Sequence, residues 1–155
     1  MPTSVSEETF QTLEIIKDEL IAAPIDIVFE TILEQMGPYN EGGDKKPMPM
    51  KLEAWLGGRW YRDLGNNAGH YWGHVQAIKP PTLLEICGPL FMSGAVISNV
   101  QYRLTAEQGG TRIKFVHRAS GAIAPEYRDG RNINAGWGGL LARIREQAEK
   151  KREGK

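Results

Sequence analysis

The sequence predicts an α+β fold, an antiparallel meander of strands accompanied by two helices, and three observations carry that prediction. An extended aliphatic run gives way to a helical stripe of apolar residues over 25–36. Short β-like runs separated by Gly and Pro turns follow, and helical periodicity returns between 133 and 148. At 155 residues the chain has the length of one domain, and a domain of that size buries roughly two thirds of its unfolded surface. Hydrophobic residues make up 41% and charged residues 25%, both ordinary for a globular protein.

Residues 1–12 carry Ser, Thr and Glu with only Val5 and Phe10 as apolar anchors, so a loose leader is expected there and a single domain over 13–152. Leu13 to Ala22, LEIIKDELIA, is aliphatic and β-branched but interrupted by charges, the pattern of an edge strand. After Ala23-Pro24, the residues Ile25, Val28, Phe29, Ile32, Leu33 and Met36 fall on one stripe of an amphipathic helix. Pro24 suits the first turn of that helix, and Gly37-Pro38 stops it. The Gly- and Pro-rich stretch 37–50 reads as a loop that would form a rim or gate.

Strands are then expected over Met50–Leu56, Arg59–Leu64, His70–Ile78, Leu83–Cys87, Ala95–Thr105 and Thr111–His117. Turns fall at Gly57-Gly58, Gly65-Asn66-Asn67, Pro80-Pro81, Gly88-Pro89 and Gly109-Gly110. In the last segment Ile133, Trp137, Leu140, Leu141, Ile144 and Ala148 lie on one helical stripe that ends in Lys150, Lys151 and Arg152, charges that favour a helix C-terminus. With the first strand this makes seven strands and two helices.

Several strings in this order resemble the START-like superfamily, also called SRPBCC, in the branch of the activator of the heat-shock chaperone ATPase. They are Ala23-Pro24 with Val28-Phe29, Gly57-Gly58-Arg59-Trp60, Gly73 with Val75, Ile78, Pro80-Pro81 and Leu83-Leu84, then Gly110-Thr111-Arg112-Ile113 leading to His117, and Gly136-Trp137. The resemblance covers residues 13 to about 148. It implies a helix-grip fold, in which a curved seven-stranded antiparallel sheet wraps the C-terminal helix around a cavity for apolar or amphipathic small molecules. A superfold of this breadth does not specify a reaction.

Strand alternation sorts the residues that would face such a cavity. Val96, Ser98, Val100, Tyr102 and Leu104 share one face of their strand, and Ile113, Phe115 and His117 share one face of the next, with His117 at the strand's end. Trp137 and Leu141 on the helical stripe complete the expected wall. His117, Ser98 and Tyr102 supply polar groups to orient a guest, and His117 has the chemistry of a general acid or base as well as that of a hydrogen-bonded core residue.

His70, Trp72 and His74 would share a face if alternation were strict, and Trp72 is a further candidate wall residue. Alternation fails to place Val75 and Ile78 together, so a bulge at Gly73 or Ala77 is expected. His70 and His74 would lie about 13 Å apart, too far to chelate one ion. With one cysteine and no HExxH or CxxC pattern, the sequence is read as needing no metal and no cofactor. Glu53 and Asp63 read as outward-facing carboxylates. Trp55, Trp60 and Tyr61 read as core and cavity lining rather than a nucleic-acid platform, and Gly136, Gly138 and Gly139 as points of close sheet-helix approach or a kink.

The 19 basic and 19 acidic side chains cancel, which gives no general pull toward nucleic acid or an anionic membrane surface. The single cysteine, Cys87, fits a reducing compartment, and no apolar stretch approaches the roughly 20 residues needed to span a bilayer. A cytoplasmic location without membrane insertion is therefore expected, Met1 to Gln11 being polar and acidic rather than signal-like. The expected partner is a small apolar or aromatic molecule. A cyclase or dehydratase-type reaction in the cavity, a homodimer, and a chaperone contact suggested by the branch name stay open at this point.

Overall fold

A computed structural model describes residues 4–154, leaving Met1–Thr3 of the expected leader outside the described residues. The elements run β1 (Gln11–Ile21), α1 (Ile25–Met36), β2 (Lys51–Leu52), β3 (Arg59–Gly65), β4 (Ala68–Lys79), β5 (Leu83–Gly88), β6 (Val96–Glu107), β7 (Gly110–Gly121) and α2 (Arg131–Glu153). Short helical turns occupy Leu90–Met92 and Pro125–Tyr127. The strands form one antiparallel sheet in the order β1-β7-β6-β5-β4-β3-β2, so this is the α+β, helix-grip arrangement of seven strands and a long C-terminal helix.

The inner face of the sheet is set by alternation in its longest strands. Val96, Ser98, Val100, Tyr102 and Leu104 of β6 are all buried, while Ile97 is 66% exposed on the opposite face. In β7 the buried set is Thr111, Ile113, Phe115, His117 and Ala119, and β7 continues to Gly121, so His117 is an interior residue rather than the end of its strand. Against this face α2 buries Ile133, Trp137, Leu140, Leu141, Ile144 and Ala148, the stripe expected from its periodicity. Burial of that apolar surface, at about 25 cal/mol per Å², is the main force closing the sheet on the helix.

Helix α1 packs on the same side, rotated from the expected stripe. Ile27, Thr31 and Gln35 are buried, while Ile25 and Leu33 sit at the edge of the core. The rotation follows from α2. Lys151 Nζ donates to Thr31 Oγ1 at 3.1 Å and also pairs with Glu34, and Arg143 Nε donates to Gln35 Oε1 at 3.3 Å, so the buried polar residues of α1 find partners on α2.

The region expected as one strand over Met50–Leu56 pairs only at Lys51 and Leu52. Beyond them the chain turns back. Glu53 accepts from the Arg59 backbone N–H at 2.8 Å and from its guanidinium at 2.9 and 2.8 Å, and this leaves Trp55 61% exposed rather than in the core. Tyr61 is half-buried, with the Arg59 guanidinium 4.6 Å from its ring centroid.

Two bulges shape β4. Trp60 pairs with Gly73 but Tyr61 with Tyr71, so Trp72 is an extra residue; Val75 pairs with Ile86 but Ala77 with Glu85, so Gln76 is another. The second bulge turns Val75 and Ile78 to the same, inner side. The first breaks the expected grouping of His70, Trp72 and His74: Trp72 packs inward on Trp60, while His74 Nδ1 lies 2.8 Å from the Tyr71 hydroxyl outside. Glycine is required beside the first bulge, since a Cβ on Gly73 would lie 2.7 Å from the Cys87 carbonyl oxygen.

Candidate functional site

One pocket among the described residues is lined mainly by apolar and aromatic side chains. It lies between the first turns of α2, the loop 40–48 and the bulged part of the sheet, with a volume of about 380 Å³. Trp60 and Trp72 form its sheet side, Phe91 and Tyr127 come from the two short helical turns, and Ile133, Gly136, Trp137, Leu140 and Arg143 come from α2. Asn40, Glu41 and Met48 line it from the loop expected as a rim.

The aromatic rings are arranged edge to face. Trp60 and Trp72 have centroids 5.0 Å apart at 82°, Trp72 and Phe91 5.7 Å at 73°, and Phe91 and Tyr127 5.7 Å at 63°. Phe91 also lies 6.2 Å from Trp137. Such packing holds each ring through its neighbours, so the wall is preformed. Two indoles are also tied by hydrogen bonds. Trp60 Nε1 donates to the Met36 carbonyl at the end of α1 at 2.8 Å, and Trp137 Nε1 donates to His117 Nδ1 at 2.9 Å.

The second of these bonds defines the state of His117. An indole N–H only donates, so Nδ1 accepts, and the proton of the neutral imidazole sits on Nε2, 3.0 Å from Ser98 Oγ, to which it donates. Burial pushes the His117 pKa down to about 4. At neutral pH the ring is therefore uncharged and both nitrogens are committed. No carboxylate bonds it among the described residues, so its geometry is that of a positioning residue behind Trp137 rather than of a proton shuttle.

Of the residues expected in the cavity wall, Trp72 and Trp137 line the pocket. Val96, Ser98, Val100, Tyr102, Ile113, Phe115, His117 and Leu141 are buried and do not line it, Phe115 having its ring centroid 4.8 Å from Trp137. The open space lies further along α2, toward Gly136, than the sequence placed it. Gly136 has no atom within 4 Å of where a Cβ would stand, and the nearest for Gly138 and Gly139 are the tips of Lys17 and Arg143 at 3.8 and 4.0 Å. Close approach of the sheet does not account for these glycines. At Gly136 the missing side chain leaves room in the pocket.

Phe91, Tyr127 and Arg143 carry no periodic signal and were not read as site residues. The two aromatics sit in short turns where neither the helical nor the strand repeat assigns a face, and their one local cue is an aromatic beside turn-forming Gly88-Pro89 and Pro125. Glu53 and Asp63 pair outside with Arg59 and Lys51. No group of three or more His, Cys, Asp and Glu that could hold a metal occurs among the described residues, and none of their helices is long and apolar enough to cross a membrane.

A seven-stranded antiparallel sheet closed over one long helix is the architecture of the START-like, or SRPBCC, class. Within it the chain belongs to the family described as Activator of Hsp90 ATPase homolog 1-like protein, whose model matches residues 22–149. Many solved structures share the fold. An uncharacterised protein from Rhizobium leguminosarum is 17% identical with a TM-score of 0.72, covering 94% of this chain and 99% of its own. A protein from Chromobacterium violaceum is 18% identical, TM-score 0.65, covering 88% and 96%. An AHSA1-like protein from Aeromonas hydrophila is 18% identical, TM-score 0.63, covering 90% and 94%. No curated protein matches significantly.

Proposed function

We propose that this chain is a binding module for a small apolar or aromatic molecule, which it holds in the pocket beside Gly136. The observation that carries this reading is the aromatic wall of Trp60, Trp72, Phe91, Tyr127 and Trp137 around a space of about 380 Å³. That volume lies within the usual range for small-molecule sites, about 300–1,000 Å³, and a preformed apolar wall with few polar groups is their usual lining. The family membership supports the reading at the level of a ligand-binding domain.

The test is titration with Nile red, a neutral polarity-sensitive dye, followed by dye and tryptophan fluorescence. The wild-type chain is expected to bind the dye and to lose it to apolar aromatic competitors. Gly136→Leu, whose side chain would enter the pocket, is expected to abolish binding while the chain stays folded by circular dichroism. Equal binding by both proteins, or none by the wild type, would overturn the proposal.

A further inference from the structure

The geometry points to a guest that is neutral and carries an acceptor oxygen, such as an aryl ketone, with Arg143 as the donor that orients it. This deepens the pocket reading above and rests on it. Among the described residues Arg143 is the one cation in the pocket wall, and its side chain is only 22% exposed. A guanidinium carries N–H donors on three nitrogens. Only one is used: Nε donates to Gln35 Oε1 at 3.3 Å, a long bond. Nη1 stands 3.6 Å from Glu41 Oε1, inside ion-pair range but beyond a hydrogen bond, and Nη2 has no hydrogen-bond partner among the described residues.

Two of the three guanidinium nitrogens thus have no hydrogen-bond acceptor among the described residues, and an acceptor on the guest can complete them.

Glu41 decides the charge of that acceptor. It lines the same pocket and already balances Arg143. A carboxylate on the guest would place a second anion beside Glu41, whereas a carbonyl oxygen accepts from Nη1 or Nη2 and leaves the pair intact. A cationic guest would be repelled by Arg143. A neutral aromatic body for the ring wall and one accepting oxygen for Arg143 is the combination the pocket accommodates without an uncompensated charge.

The experiment compares naphthalenes of one shape on the intact chain by competition with Nile red: acetylnaphthalene, ethylnaphthalene and naphthoate. Acetylnaphthalene is expected to bind about tenfold more tightly than ethylnaphthalene, the size of a hydrogen bond to a charged donor, and naphthoate more weakly than the ketone. Arg143→Met is expected to erase the preference of ketone over hydrocarbon, read as the ratio of the two affinities. Glu41→Gln is expected to raise naphthoate affinity selectively. The wild-type comparison stands if Arg143→Met fails to fold. Equal affinity for ketone and hydrocarbon would overturn the role of Arg143 and leave the pocket reading intact. Preference for naphthoate in the wild type would overturn the neutral guest, and binding of none of the three would overturn both readings.

Discussion

Two aromatic clusters meet at Trp137 and have opposite fates. On one side Phe115 and His117 of the central strands pack against it, with Tyr102 behind Phe115, and all three have no solvent exposure. On the other side Trp60, Trp72, Phe91 and Tyr127 surround open space. Their composition is similar, so hydrophobicity alone does not separate a core from a pocket. Backbone features do. The filled cluster lies between regular strands, where alternation sends every second side chain inward, and opposite a helical stripe of large residues. The open cluster lies where β4 is bulged at Trp72 and where α2 presents Gly136 instead of a side chain.

The comparison is broken most strongly by truncating each side in turn. Phe115→Ala leaves a cavity under Trp137 and is expected to cost about 3–5 kcal/mol in denaturant unfolding. Phe91→Ala removes a half-buried ring from the pocket side and is expected to cost about 1 kcal/mol, with dye affinity falling instead. If the two variants unfold at the same denaturant concentration, the distinction between packed floor and open wall fails.

Next in size is the effect of pH on the hinge between the clusters. His117 has its pKa pushed down to about 4 by burial, whereas in the unfolded chain it returns to about 6.5. Between those values the unfolded state binds the extra proton, so stability falls as pH drops from 6.5 toward 4 and is level above 6.5 with respect to this group. The full span corresponds to about 3 kcal/mol. Protonating Nδ1 would also set an N–H against the donor of Trp137. Thermal melts across this window are expected to show the slope, and His117→Gln to flatten it; an unchanged slope would remove His117 from the account.

A smaller change acts on the open side with reversed sign. Gly136→Ala places a methyl where nothing stands within 4 Å and improves helix propensity, so unfolding free energy is expected to rise by up to about 1 kcal/mol. A loss of stability would show that the space beside Gly136 is filled in solution. The smallest effect is expected far from both clusters. Arg118→Ala breaks an exposed ion pair with Glu14 on the outer sheet face and should change stability by less than about 1 kcal/mol.

Much of the fold was legible because its signals are local and periodic. The inner faces of β6 and β7 and the stripe of α2 were read from alternation and helical repeat, since each buried residue there is spaced by the geometry of its own element. The rotation of α1 was not, because it depends on Lys151 and Arg143 arriving from the other end of the chain to satisfy Thr31 and Gln35. Trp55 was misplaced for a similar reason: the Glu53–Arg59 bonds fold the β2–β3 connection outward, and aromatic character alone carries no direction.

The sequence by itself determined the class of fold and the buried faces of β6, β7 and α2. These follow from a single repeat in each element and from apolar burial. Only the tertiary structure decided where the empty space lies. It depends on two bulges, on a helical glycine and on aromatics delivered by short turns, none of which has a period. The partners of His117 were decided the same way, since Ser98, His117 and Trp137 meet through the packing of α2 on two strands. A histidine on an apolar face announces that it needs partners; which groups satisfy it is a property of the assembled core.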